Sequence, residues 1–153
     1  MNFEEESRQL TEAAARVAPE AVGAYLEQNR EKLLPEGRAF AVYLRRKLRE
    51  KDILQQDVFL SADLSENYGY KLIAQEKHTR NRNVILRLCI AARLDPEETS
   101  EALTLYGMAP LRGRIARDAV LLSAIAGGVR DIHDADALLR KHGLAPLLDG
   151  EEA

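Results

Sequence analysis

The chain has 153 residues, 46% of them hydrophobic and 31% charged, with a formal net charge of −3; this composition fits a globular chain with its own core rather than a disordered one. A single cysteine, Cys89, excludes an internal disulfide framework. No apolar stretch reaches the ~20 residues of a membrane span, and the polar start, Met1-Asn-Phe-Glu-Glu-Glu, lacks an apolar signal core, so a cytoplasmic protein without membrane contact is expected.

Apolar residues recur at helical spacing in every segment long enough to judge, and no stretch alternates like a strand. A first helix is predicted over 3–18 and a second over 20–33, separated by Pro19 and closed by Pro35. Proline is accepted in the first turn of a helix and breaks its interior. A third, over 37–51, lines Phe40, Tyr43, Leu44 and Leu48 along one face, and Arg38, Arg45, Arg46, Lys47, Arg49 and Lys51 cover most of the rest. Two short helices follow, 55–62 and 66–75, joined by Asp63-Leu64-Ser65. Ser65 is a natural N-cap, because its hydroxyl can accept from the open amides of the next turn.

The polar stretch 76–82 leads to an apolar helix over 83–93. Asp95-Pro96-Glu97-Glu98 then opens another helix with its cap, its first-turn proline and its third-position glutamate in order, and Gly107 ends it. An apolar helix over 114–126 stops at Gly127-Gly128. The last begins at Asp131, carries Ala135, Leu138 and Leu139, and ends at His142-Gly143, leaving a frayed tail over 149–153. The expected fold is all-α, a compact bundle of about nine helices with short connections.

Charge is unevenly spread. Residues 1–35 hold 4 Lys/Arg against 7 Asp/Glu, 36–93 hold 12 against 7, and 94–153 hold 6 against 11. A basic centre between acidic flanks is the electrostatic footprint of a nucleic-acid binder, hidden in the whole-chain figure.

The pair of short helices over 55–75 carries the functional reading. Helices of this length are marginal alone, and the arrangement suits one helix held across another so that its far face protrudes. Residues 38–98 resemble the five-helix domain of the XRE-type regulators, relatives of Cro and lambda repressor. Ile53-Leu-Gln-Gln-Asp-Val58 resembles the opening of the first motif helix, Leu64-Ser65 the turn, Glu66-Asn-Tyr-Gly-Tyr-Lys-Leu-Ile73 the recognition helix, and Val84-Ile-Leu-Arg-Leu-Cys-Ile-Ala-Ala-Arg-Leu94 the helix after it. The continuation to about Leu147, with Glu101-Ala-Leu-Thr-Leu-Tyr-Gly107, is similar to the helical tail of one bacterial subgroup. Where the family usually has a small residue this chain has Phe59, where it often has Gly it has Asp63, and where it usually has Ile or Val it has Gly69. Phe59 with Gly69 reads as a volume swap between the two helices. The Gly-plus-polar turn expected after the recognition helix is replaced by Gln75-Glu-Lys-His-Thr79.

The resemblance implies an N-terminal helical extension over 1–35, a helix-turn-helix domain over 36–98 and a C-terminal helical extension over 99–148 packed on it. It implies a DNA-binding transcriptional regulator, acting as a homodimer on double-stranded DNA. Gln55 and Gln56 fall where the family contacts a phosphate; Ser65, Glu66, Asn67, Tyr70 and Lys71 fall on the row facing the major groove. Lys77, Arg80 and Arg82 follow in the loop, suited to phosphate contacts. Tyr68 and Leu72 are expected to face the core. The alternative is a protein-interaction module that keeps the fold without binding DNA, its partner met through the acidic outer helices.

No constellation points to catalysis, a cofactor or a metal. Cys89 sits in an apolar run without a neighbouring histidine. His78, His133 and His142 lack metal-ligand spacing. Asp131, Asp134 and Asp136 crowd a helix start, where carboxylates complement the dipole, and Gly127-Gly128 lacks the lysine and strand of a phosphate loop.

Overall fold

A computed structural model describes residues 2–148. Among them lie nine α-helices, two short 3-10 turns and no strand. The chain divides at Pro35 into two units, Met1–Pro35 and Glu36–Ala153. The expected tail, 149–153, lies outside the described residues.

In the first unit α1 spans Phe3–Arg16, opened by Asn2, whose side chain accepts from the Glu5 amide at 2.8 Å. The predicted second helix is broken. A 3-10 turn at Pro19–Ala21 leads into α2, Val22–Gln28, and a second 3-10 turn covers Arg30–Lys32. At the second break the backbone amide of Asn29 at 3.1 Å and its side-chain amide at 2.9 Å both donate to the Tyr25 carbonyl. The Tyr25 hydroxyl donates to the Leu10 carbonyl at 3.0 Å and ties α2 to α1.

In the second unit the helices are α3 (Ala39–Glu50), α4 (Gln55–Ser61), α5 (Glu66–Ile73), α6 (Arg82–Ala91), α7 (Pro96–Tyr106), α8 (Ala116–Ala126) and α9 (Ile132–Lys141). The sequence leaves α6 apolar nearly all round, and a helix of that kind belongs in the middle. Every residue from Val84 to Ala91 is buried, and α4, α7 and α9 pack on it. From α3 the predicted face of Phe40, Tyr43, Leu44 and Leu48 enters the core. Lys47, expected on the polar face, is also buried, its ammonium paired with Glu98 of α7.

Each helix from α3 to α9 ends in the same reversal, in which the second residue past the last turn donates back five residues. Examples are Ile53 to Leu48 at 2.9 Å, Leu64 to Phe59 at 2.9 Å and Leu94 to Cys89 at 3.1 Å. That closure needs one left-handed residue. Gly107 supplies it as predicted, with φ 91°, but after α3, α4, α5 and α6 it falls to Asp52, Asp63, Gln75 and Arg93, with φ between 56° and 60°. At α7 the expected start is present in full: Asp95 accepts from the Glu98 amide at 2.7 Å while Glu98 accepts from the Asp95 amide at 2.9 Å.

Candidate nucleic-acid interface

The connection between α4 and α5 is built from local bonds and one distant one. Asp63 takes the left-handed position, and the Ser65 hydroxyl accepts from the Tyr68 amide at 3.2 Å, as the sequence predicts. From α6 the buried Arg87 donates Nε to the Ala62 carbonyl at 2.9 Å. A charged donor thus holds the last turn of α4 against the core.

The expected volume swap is present. A Cβ built on Gly69 would lie 2.5 Å from Cγ and 2.7 Å from Cε1 of Phe59. The ring occupies the space of the missing side chain, and its edge-to-face contact with Tyr70, 4.8 Å between centroids, completes the join. These contacts fix how α5 crosses α4.

Along α5, Ser65, Glu66, Asn67 and Tyr70 are exposed and Lys71 is half-exposed. On the opposite side Leu72 is fully buried, and Tyr68, expected inside with it, is half-buried. At the start of α4 Gln56 is exposed and Gln55 half-exposed.

The loop after α5 is held by residues that sequence reasoning missed. Gln75 was expected to end the helix; it adopts the left-handed conformation and its Oε1 accepts from the Ala41 amide at 3.0 Å, closing the open start of α3. The buried Thr79 donates its amide to the Tyr106 hydroxyl at 2.9 Å, and the His78 ring stacks on Tyr106 at 4.8 Å. Lys77 and Arg80 flank this fixed point and are exposed. No ion pair engages Lys71, Lys77 or Arg80 among the described residues.

Arg82 departs from expectation. Its Nη1 meets Asp118 at 2.8 Å, Nε reaches the Ala109 carbonyl at 3.3 Å, and Nη2 reaches the Ala109 and Pro110 carbonyls, both at 3.1 Å. The guanidinium ties the start of α6 to α8 and the loop before it, which leaves it unsuited to a phosphate. The buried Asp118 also accepts from the Arg112 amide at 3.0 Å. Burial alone would raise its pKa, yet Arg82 and that amide hold it below the usual carboxylate value.

The same kind of pairing consumes much of the basic centre. Lys47 reaches Glu98 at 3.1 Å and Lys51 reaches it at 2.9 Å. Burial would raise the Glu98 pKa, but the Asp95 amide and the two ammoniums together hold it below 4.5. Arg46 pairs with Glu50 at 3.2 Å. The sequence tally assigns Glu98 and Asp118 to the acidic C-terminal flank, whereas in space they neutralise cations of the centre. Between residues 53 and 81 only Lys71, Lys77 and Arg80 remain, against Asp57, Asp63, Glu66 and Glu76.

Elsewhere, burial pushes the Cys89 thiol up to about 12, so no thiolate forms near neutral pH. Asp136 accepts from the Leu147 and Leu148 amides at 2.5 and 3.1 Å, and Asp131 caps α9. Among the described residues no three His, Cys, Asp or Glu side chains group as metal ligands, and no helix is long and apolar enough to cross a membrane. No family model, curated protein or solved structure matches the chain.

Proposed function

We propose that the chain is a sequence-specific DNA-binding regulator in which α4 and α5 form a helix-turn-helix and α5 enters the major groove. The observation that carries this is the polar row Ser65, Glu66, Asn67 and Lys71, open to solvent on a helix whose opposite row is buried, with unpaired Lys77 and Arg80 beside it on an anchored loop. Asn67 suits adenine, Lys71 guanine and Glu66 the amino group of cytosine. Lys77, Arg80 and the amides of Gln55 and Gln56 suit phosphates, which position a protein without reading sequence. Two copies on a two-fold site would double the contacts.

A selection from random duplexes tests this. It is expected to enrich one sequence with two-fold symmetry, and Asn67→Ala and Lys71→Ala are expected to relax preference at single positions, at about 1–3 kcal/mol each. An unenriched pool after repeated rounds overturns the proposal.

A second reading, a protein-interaction module that keeps the fold without binding DNA, is favoured by two observations. Anions outnumber cations over residues 53–81, and α4 and its leading residue expose Leu60 and Leu54, 81% and 62%. The same selection separates the two readings.

A further inference from the structure

Single exposed leucines are ordinary on protein surfaces and need no partner. Leu60 differs in its surroundings. It borders a groove of about 400 Å³ between α4 and the start of α5, whose lining is Gln56, Asp57, Phe59, Leu60, Leu64 and Glu66. The lining is apolar at Phe59, Leu60 and Leu64 and anionic at Asp57 and Glu66, and it includes no cation. Neither carboxylate takes part in an ion pair among the described residues.

The rim is therefore unneutralised negative charge around an apolar opening, and it sits on two helices locked together by Phe59 and Gly69. Complementary charge at a rim selects partners and speeds encounter, while a buried apolar side chain at the centre supplies most of the affinity. A phosphate seated inside the groove would face Asp57 and Glu66 with no lining cation and would gain nothing from Leu60. We propose that this groove docks a segment of another protein that presents one apolar side chain between lysines or arginines.

The groove shares Gln56 and Glu66 with the row assigned to DNA, but its occupant is measured in the absence of DNA, so the two proposals fail separately. The probe is a displayed library of random peptides panned against the full chain. Recovered peptides are expected to carry Leu, Ile, Met or Phe flanked by basic residues. A synthetic winner is expected to bind at least about tenfold more weakly to Leu60→Ser and to the pair Asp57→Asn with Glu66→Gln, a loss of about 1.4 kcal/mol, and more weakly still as salt rises. Because Leu60 is so exposed, its replacement leaves the core intact, and an unchanged melting curve verifies that. The proposal is overturned if the winners are acidic or uncharged, or if they bind Leu60→Ser as well as wild type. It is also overturned if Leu60→Ser abolishes self-association of the chain in sedimentation, since a second copy is then the occupant.

Discussion

Replacing Gly69 with alanine should reverse the sign of its effect according to what stands at position 59. In the middle of a helix, alanine is better than glycine by about 1 kcal/mol. Here the new methyl would lie 2.5 Å from Cγ of a fully buried ring that is itself held edge-on by Tyr70. Neither ring nor backbone yields without moving α4 against α5, and overpacking of this kind costs about 1–3 kcal/mol. Gly69→Ala is thus expected to destabilise the wild-type chain by up to about 2 kcal/mol net. Phe59→Ala alone leaves a cavity and is expected to cost about 3–5 kcal/mol; Phe59→Leu is the milder version should the first prove too unstable to measure. In the Phe59→Ala background the ring atoms that crowd the methyl are gone, and Gly69→Ala should then stabilise. Phe59→Leu keeps a Cγ beside the methyl and should relieve the penalty only in part. Urea unfolding followed by far-ultraviolet circular dichroism gives the cycle, with a constant m-value confirming that the same transition is compared. If the two effects add to within about 0.5 kcal/mol, or if Gly69→Ala stabilises the wild type, the volume-swap account is wrong.

Three further outcomes follow from the packing. Arg82→Ala strips the guanidinium from a buried carboxylate and is expected to cost about 3 kcal/mol, whereas Arg80→Ala, two residues away and unpaired, should leave the melting curve within about 0.5 kcal/mol of wild type. Arg93→Gly relieves an exposed left-handed residue with φ 59° and should raise the urea midpoint by the equivalent of about 0.5–1 kcal/mol. Stability should fall in acid: Glu98 and Asp118 are held below their ordinary values of 4.5 and 3.8, so their contribution is complete above those values and is lost as pH drops through the lower folded ones. Glu98→Gln should flatten that acid limb, which thermal melts across the range will measure.

Features set within one turn of helix were legible in the sequence. The cap at Ser65, the Asp95–Glu98 box and the terminator at Gly107 each involve residues three or four apart, so spacing alone identified them. The complementary sizes at 59 and 69 were also readable, because one large and one absent side chain stand in neighbouring short helices. What was not readable depends on partners far along the chain. Lys47 looks solvated until α7 brings Glu98 to it, Arg82 looks available until α8 brings Asp118, and Arg87 hides in an apolar run until α4 offers the Ala62 carbonyl. The basic centre was overstated for that reason, since a tally along the chain cannot see which charges meet. Gln75 was misplaced in the helix because its reach to Ala41 crosses 34 residues.

The central claim, that this surface binds duplex DNA through its phosphates and reads it with α5, is tested most directly by the salt dependence of duplex affinity. The account predicts a linear fall of log affinity with log salt, and a slope smaller by about 0.9 for each of Lys77→Ala and Arg80→Ala, because each neutralised phosphate releases counterions. Absence of duplex binding at low salt, or a slope that the double variant leaves unchanged, would contradict it.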